Sequence, residues 1–240
     1  MSAPRKLVGV IGGVGPQATA YFLDMVVRLT AAERDQDHLD MVVLDHATIP
    51  DRTAYILGRS TENPGPVMAE DARRLAAFGV DLLVLPCNTA HHFTQEIEEA
   101  VDVPLVNIVA ETVAEVGTRV GDGTAVGLLA TSGTVHAGVY QRAIEAAGGR
   151  TVLPDERGQA LLMRIIYDQV KAGRPVDVEE FGSLVAGLRA QGARAVVLGC
   201  TELSVVAADH DLLARDPDLV DSLDVLARRT IERAGGTVRA

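Results

Sequence analysis

Short, uninterrupted apolar runs alternate along this chain with longer segments of helical period. Runs rich in Val, Leu and Ile occupy residues 7–12, 41–46, 82–87, 105–109, 125–130, 151–153, 195–200 and 219–221. They are continuous rather than alternating, the pattern of strands covered by helices on both faces. Residues 16–32, 89–100, 135–147 and 179–191 carry helical spacing between them. The first of these opens on Pro16, suited to an initial helical turn, and sets Tyr21, Met25, Val26 and Leu29 on one face. The β–α alternation predicts an α/β fold of parallel sheet with right-handed crossovers.

A weak internal repeat divides the chain. Val10-Ile11-Gly12-Gly13 resembles Leu128-Leu129-Ala130-Thr131-Ser132-Gly133, and the apolar run ending in Cys87 resembles the run ending in Cys200. Two related halves with unequal loops are expected: residues 1–111 plus 219–240 as one α/β domain, and 112–218 as the other. The final strand and helix, 219–234, are expected to return to the first half. One long irregular segment, 47–66, contains Ile49-Pro50-Asp51-Arg52-Thr53 and Asn63-Pro64-Gly65-Pro66. A loop of that length in a compact domain reads as a lid or binding loop.

Composition narrows the function. At 240 residues the chain can bury a substantial core, and 48% apolar against 23% charged residues is ordinary for a globular protein. The net charge of −11, with no Lys/Arg cluster, argues against nucleic acid and anionic membranes as partners. With no Trp and only 3% aromatics, base stacking has little to work with. The apolar run after the basic start is too short for a signal sequence, and no stretch approaches the roughly 20 apolar residues of a membrane span. A cytoplasmic protein is expected.

Cys87 and Cys200 are the only cysteines, too few for a secreted disulfide framework. Each ends an apolar run and precedes a polar pair and a helical segment, which in a parallel α/β fold is where active-site crevices form. A lone buried cysteine is ordinarily packing material. Two at equivalent strand ends suggest thiols facing one cleft, suited to removing a proton on one side of a carbon and returning one on the other. A free thiol has a pKa of roughly 8.5, and a helix N-terminus lowers it.

Gly12-Gly13-Val14-Gly15-Pro16 is either a tight strand-to-helix turn or a place where a carboxylate or phosphate meets backbone N–H groups. It lacks the dinucleotide spacing. Asn88, Thr89, Thr201 and Glu202 follow the cysteines, and Thr131 and Thr134 follow another strand. All admit two readings, substrate contact or helix capping. Arg52 and Lys171 are single charges, open to a surface role or to carboxylate binding. His91 and His92 lack a ligand cluster at metal spacing, so no metal site is expected.

With these residues assembled, the chain resembles the aspartate/glutamate racemase superfamily on its aspartate racemase branch. The resemblance rests on Gly12 to Thr19, Ile49-Pro50-Asp51-Arg52-Thr53, Pro86-Cys87-Asn88-Thr89-Ala90-His91, Ile166-Tyr167 with Lys171-Ala172-Gly173, and Gly199-Cys200-Thr201-Glu202. Glutamate racemases open with an Asp-Ser-Gly segment that Val10-Ile11-Gly12-Gly13 does not match, and Val14 stands where Met is frequent. The resemblance implies two pseudo-symmetric parallel-sheet α/β domains with the active site in the cleft between them, and a homodimer. It implies a cofactor-independent racemase with Cys87 and Cys200 as acid and base. On that resemblance Asn88, Thr89 and Ala90 would bind the amino acid, and Arg52 and Lys171 would engage carboxylates; Gly13, Thr131, Thr134, Thr201 and Glu202, read from their own positions, are expected as further substrate contacts. Broad-specificity racemisation, maleate isomerisation and hydantoin racemisation remain alternatives on the same fold. A redox dithiol lacks the C-x-x-C motif, and a catalytically silent binding module would leave both thiols without work.

Overall fold

The computed structural model describes residues 5–239, and the chain divides into two compact units. One runs to Ile108 and resumes at Leu223; the other is Val109–Ser222.

In the first unit the elements are β1 (Val8–Gly12), α1 (Pro16–Leu29), β2 (Met41–Asp45), α2 (Arg52–Ile56), α3 (Gly65–Ala77), β3 (Leu82–Val84), a 3₁₀ turn over Thr89–Phe93, α4 (Thr94–Glu98) and β4 (Leu105–Val106). The strands form one parallel sheet ordered β2-β1-β3-β4. Every residue of β1 is buried, which explains why its sequence shows no polar alternation. Helix α1 buries Ala18, Phe22, Met25 and Val26. Phe22 was absent from the expected face, while Tyr21 and Leu29 lie at its margins. Ile11, Met68, Leu75, Leu83, Phe93 and Ile97 fill the core between sheet and helices, each contributing roughly 1.5–3 kcal/mol by leaving water.

The second unit contains most of α5 (Ile108–Val120), then β5 (Ala125–Ala130), α6 (Ser132–Ala137), α7 (Val139–Ala146), β6 (Arg150–Val152), α8 (Glu156–Arg164), a π-helical turn over Ile165–Val170, α9 (Val178–Ala190), β7 (Ala195–Gly199), α10 (Thr201–Asp209), α11 (Leu212–Arg215) and β8 (Leu219–Asp221). Its sheet is parallel and ordered β6-β5-β7-β8. The two units therefore share one topology, with Cys87 and Cys200 each following the third strand in sheet order. Leu129, Leu162, Phe181, Leu188, Val196 and Leu198 centre its core.

Three expectations need correction. The strand at 219–221 does not return to the first half: β8 pairs with β7, Val196 opposite Leu219 and Leu198 opposite Asp221. Only α12 (Ser222–Arg233) and the tail return, with Lys6 N–H bonding the Ala234 carbonyl at 3.0 Å. Residues 105–109 are not one strand, because β4 stops at Val106 and α5 begins at Ile108. The segment 47–66 is not irregular throughout: Asp51 Oδ1 accepts the Ala54 N–H at 3.0 Å and so caps α2.

Candidate active site

In the first unit, the predicted residues gather at the carboxyl ends of β1, β2 and β3. Gly13 has φ +82°, and a Cβ there would fall on the His46 backbone, so only glycine lets the β1 loop lie against the end of β2. The turn after β2 is pinned by Ile49 N–H to the His46 carbonyl at 3.2 Å and by His46 Nδ1 to buried Asp71 at 2.7 Å. Arg52 Nη1 donates back to the carbonyls of Ile49 (3.2 Å) and Pro50 (3.0 Å). This ties the guanidinium to the loop through one of its nitrogens.

Cys87 lies beyond the last paired residue of β3, in a tight turn where its N–H bonds the Leu85 carbonyl at 2.8 Å. Asn88, Thr89 and Ala90 follow, all buried. The segment after Cys87 begins as a 3₁₀ turn, not an α-helix, so the helix N-terminus expected to depress this thiol is not formed in that way. His91, set aside in the sequence as an unlikely metal ligand, is buried with both ring nitrogens engaged.

In the second unit, register places Ala130 beside Gly199, and hence Thr131 next to Cys200. Thr131 is the N-cap of α6: its Oγ1 accepts the Thr134 N–H at 3.2 Å and lies 3.0 Å from Thr134 Oγ1. The capping role weighed for this pair is thus present.

Cys200 N-caps α10 without a side-chain cap bond. Its thiol instead donates to Glu202 Oε2 at 2.9 Å, which also accepts from Thr201 Oγ1 at 3.2 Å. The other oxygen, Oε1, is paired with Lys171 Nζ at 2.9 Å, the carboxylate being 12% and the lysine 37% exposed. Lys171 Nζ also stands 5.3 Å from the Tyr167 ring centre. It follows the π-helical turn, closed by its own N–H bonding the Ile166 carbonyl at 3.0 Å. Such single π-turns re-aim a helix and are frequent at functional sites.

The chain Lys171–Glu202–Cys200 has a definite electrostatic sense. Burial pulls Lys171 down, but the Glu202 charge and hydrogen bond more than reverse this, and the ammonium ends above its ordinary range. Burial pushes Glu202 up, yet Lys171 and the Cys200 hydrogen bond overcome it and hold the carboxyl below its usual value. Cys200 is pushed well above the ordinary thiol range, by burial first and the Glu202 charge second, with Lys171 offsetting part. The expectation of a thiolate favoured by a helix N-terminus is therefore reversed at Cys200. An anionic neighbour at hydrogen-bond distance outweighs the helix end.

Among the described residues, no group of three or more His, Cys, Asp or Glu is placed to hold a metal ion. No helix among them is long and apolar enough to cross a membrane.

A family model described as Asp/Glu/Hydantoin racemase matches residues 11–230. The chain belongs to that family. The Asp/Glu/hydantoin racemase fold is also what solved relatives show. An aspartate racemase of Picrophilus torridus superposes with a TM-score of 0.82 at 30% identity, covering 98% of this chain and 96% of that one. An aspartate racemase homologue from Pyrococcus horikoshii OT3 gives 0.76 at 25% identity, covering 95% and 99%. The broad specificity amino-acid racemase RacX of Bacillus subtilis is 27% identical over 234 residues, 94% of this chain and 96% of that protein. Membership of the Asp/Glu/hydantoin racemase family makes this chain an amino-acid racemase, an isomerase acting on a small molecule.

Proposed function

We propose that the chain interconverts L- and D-aspartate by a two-base reaction without added cofactor, using Cys87 and Cys200 on opposite faces of one Cα. The observation that carries this reading is the hydrogen bond from the Cys200 thiol to Glu202. Cys200 is held protonated by a carboxylate that Lys171 keeps charged, the state required of the acid. In that form Cys87 acts as thiolate and takes the Cα proton. Electron density moves onto the substrate α-carboxylate, and Cys200 S–H returns a proton to the other face. The negative charge passes from the Cys87 sulfur to the Cys200 sulfur; the reverse sense runs on the exchanged state. The pair titrates as a coupled system.

Backbone N–H groups near Gly13, Asn88, Thr131 and Thr201 would stabilise charge on the α-carboxylate. Arg52 would hold the second carboxylate by the guanidinium nitrogens not spent on its own loop. Lys171 has two N–H groups beyond the one facing Glu202 and would assist. Thr89, Ala90 and Thr134 would line the same site, within a cytoplasmic homodimer.

The test is incubation of the purified protein with L-aspartate in deuterated buffer, reading chirality and Cα label together. Inversion with one deuterium incorporated is expected. Cys87→Ala and Cys200→Ala should each abolish inversion while retaining α-hydrogen exchange for one enantiomer only. Full racemisation with either sulfur removed would exclude the two-base scheme. The likeness to RacX supports a second reading, broad amino-acid racemisation. Comparable turnover of neutral amino acids would favour it, and turnover of maleate or hydantoins instead would move the chemistry within the family.

A further inference from the structure

Outside the thiol pair and its carboxylate partners, one buried titratable side chain is held in unusually complete geometry. His91 Nδ1 lies 2.8 Å from the Cys87 carbonyl oxygen, and His91 Nε2 lies 3.2 Å from the Ile108 backbone nitrogen. These partners fix the proton without ambiguity. A carbonyl can only accept, so Nδ1 carries the hydrogen; a backbone N–H can only donate, so Nε2 must be bare.

The two backbone groups share a need. The β3 ladder ends at Val84, so the carbonyl of Cys87 has no strand to bond. Ile108 opens α5, and a first-turn N–H has no partner within its own helix. A neutral imidazole supplies one acceptor and one donor across the gap. Ile108 is also the last residue of the first unit before the chain leaves it. The loop that carries the first thiol is thereby tied to the point of departure.

We infer that His91 is a positioning residue for Cys87: a neutral imidazole strut of single tautomer, bracing the thiol-bearing loop against the first turn of α5. The inference rests on the racemase reading of Cys87. Burial lowers the His91 pKa to about 4, against a smaller opposing effect of the Cys87 carbonyl, which keeps the strut neutral across the working range.

The experiment has a spectroscopic and a kinetic arm, both on the full chain. Protein labelled with ¹⁵N-histidine should show one ring, lost in His91→Asn, with Nδ1 protonated, Nε2 bare and no titration between about pH 5.5 and 8.5. Each enantiomer of aspartate is then followed in deuterated buffer with His91→Leu and His91→Asn. Misplacing one base by about an ångström costs on the order of 100-fold. His91→Leu should therefore slow inversion roughly 10- to 100-fold. Exchange of the enantiomer whose Cα–H faces Cys200 should stay within about twofold. Exchange will then outrun inversion for that enantiomer alone. His91→Asn, which keeps a short donor toward the Cys87 carbonyl, should recover part of the loss.

The strut is overturned if the wild-type ring titrates in that window or carries its proton on Nε2. It is also overturned if both enantiomers lose exchange equally, or if inversion survives in a folded His91→Leu protein. Should His91→Leu fail to fold, the same exchange-to-inversion ratio is read on His91→Asn. A wild-type ring in the expected state, with no exchange of either enantiomer, would sink the racemase reading instead.

Discussion

Arg52 in the first unit and the Lys171–Glu202 pair in the second are each fixed by short local contacts. Arg52 spends Nη1 on the carbonyls of Ile49 and Pro50, and the proposed role in carboxylate binding predicts a selective loss on its removal. Arg52→Ala should lower kcat/KM for aspartate roughly 10- to 100-fold, the worth of a charged hydrogen bond, while shifting Tm little. Lys171→Met would leave the 12%-exposed Glu202 carboxylate without its cation. Because Lys171 is partly exposed, the cost should be only about 1–2 kcal/mol. Losing the larger of the two influences that draw Cys200 downward, the other being the Glu202 backbone N–H, should push that thiol still higher. Alkylation of Cys200 by iodoacetamide, followed by mass spectrometry at neutral and alkaline pH, should therefore require higher pH than in the wild type. The sequence made these residues candidates individually. It did not show that Lys171 and Glu202 face each other, because they sit on elements separated by α9 and β7 and meet only after the π-helical turn re-aims the chain.

Helix α2 carries Arg52, and its start depends on the Asp51 cap. Asp51→Ala should cost about 1 kcal/mol of local stability, speeding amide exchange across Arg52–Ile56 roughly fivefold while leaving the sheet amides unchanged. The strands of both sheets were legible in advance because continuous burial leaves continuous apolar runs, as in β1 and β7. What escaped was partnership. Leu219–Asp221 reads as a strand in any sheet, and only pairing with β7 decides which. Likewise, Pro-rich residues 47–66 hide α2, because five residues show too little helical period. The 3₁₀ start after Cys87 escaped for the same reason: its composition suits an α-helix equally well.

At the scale of the whole molecule, each unit ties its thiol-bearing segment to the place where the chain departs. In the first unit His91 joins Cys87 to Ile108. In the second, Ser222 Oγ donates to the Leu198 carbonyl at 2.7 Å, and Ser204 Oγ donates to buried Asp221 at 2.6 Å. His91 adds a pH dependence to global stability. Its native pKa, lowered from 6.5 to about 4, means the unfolded chain takes up the proton first as the solution is acidified. Its contribution is complete above about pH 6.5 and is lost progressively toward about pH 4, amounting to roughly 3 kcal/mol. Urea titrations across this window should show that decline, and His91→Asn should flatten it.

The guarded proton on Cys200 has a consequence for bookkeeping between mirror images. For the proposed substrate, L- and D-aspartate have identical free energies, so the specificity constants in the two directions must be equal whatever the protein does. A lopsided resting form can therefore appear only as maximal velocity and half-saturation changing in the same proportion. One antipode should saturate at low concentration and turn over slowly, while the other should saturate late and run fast.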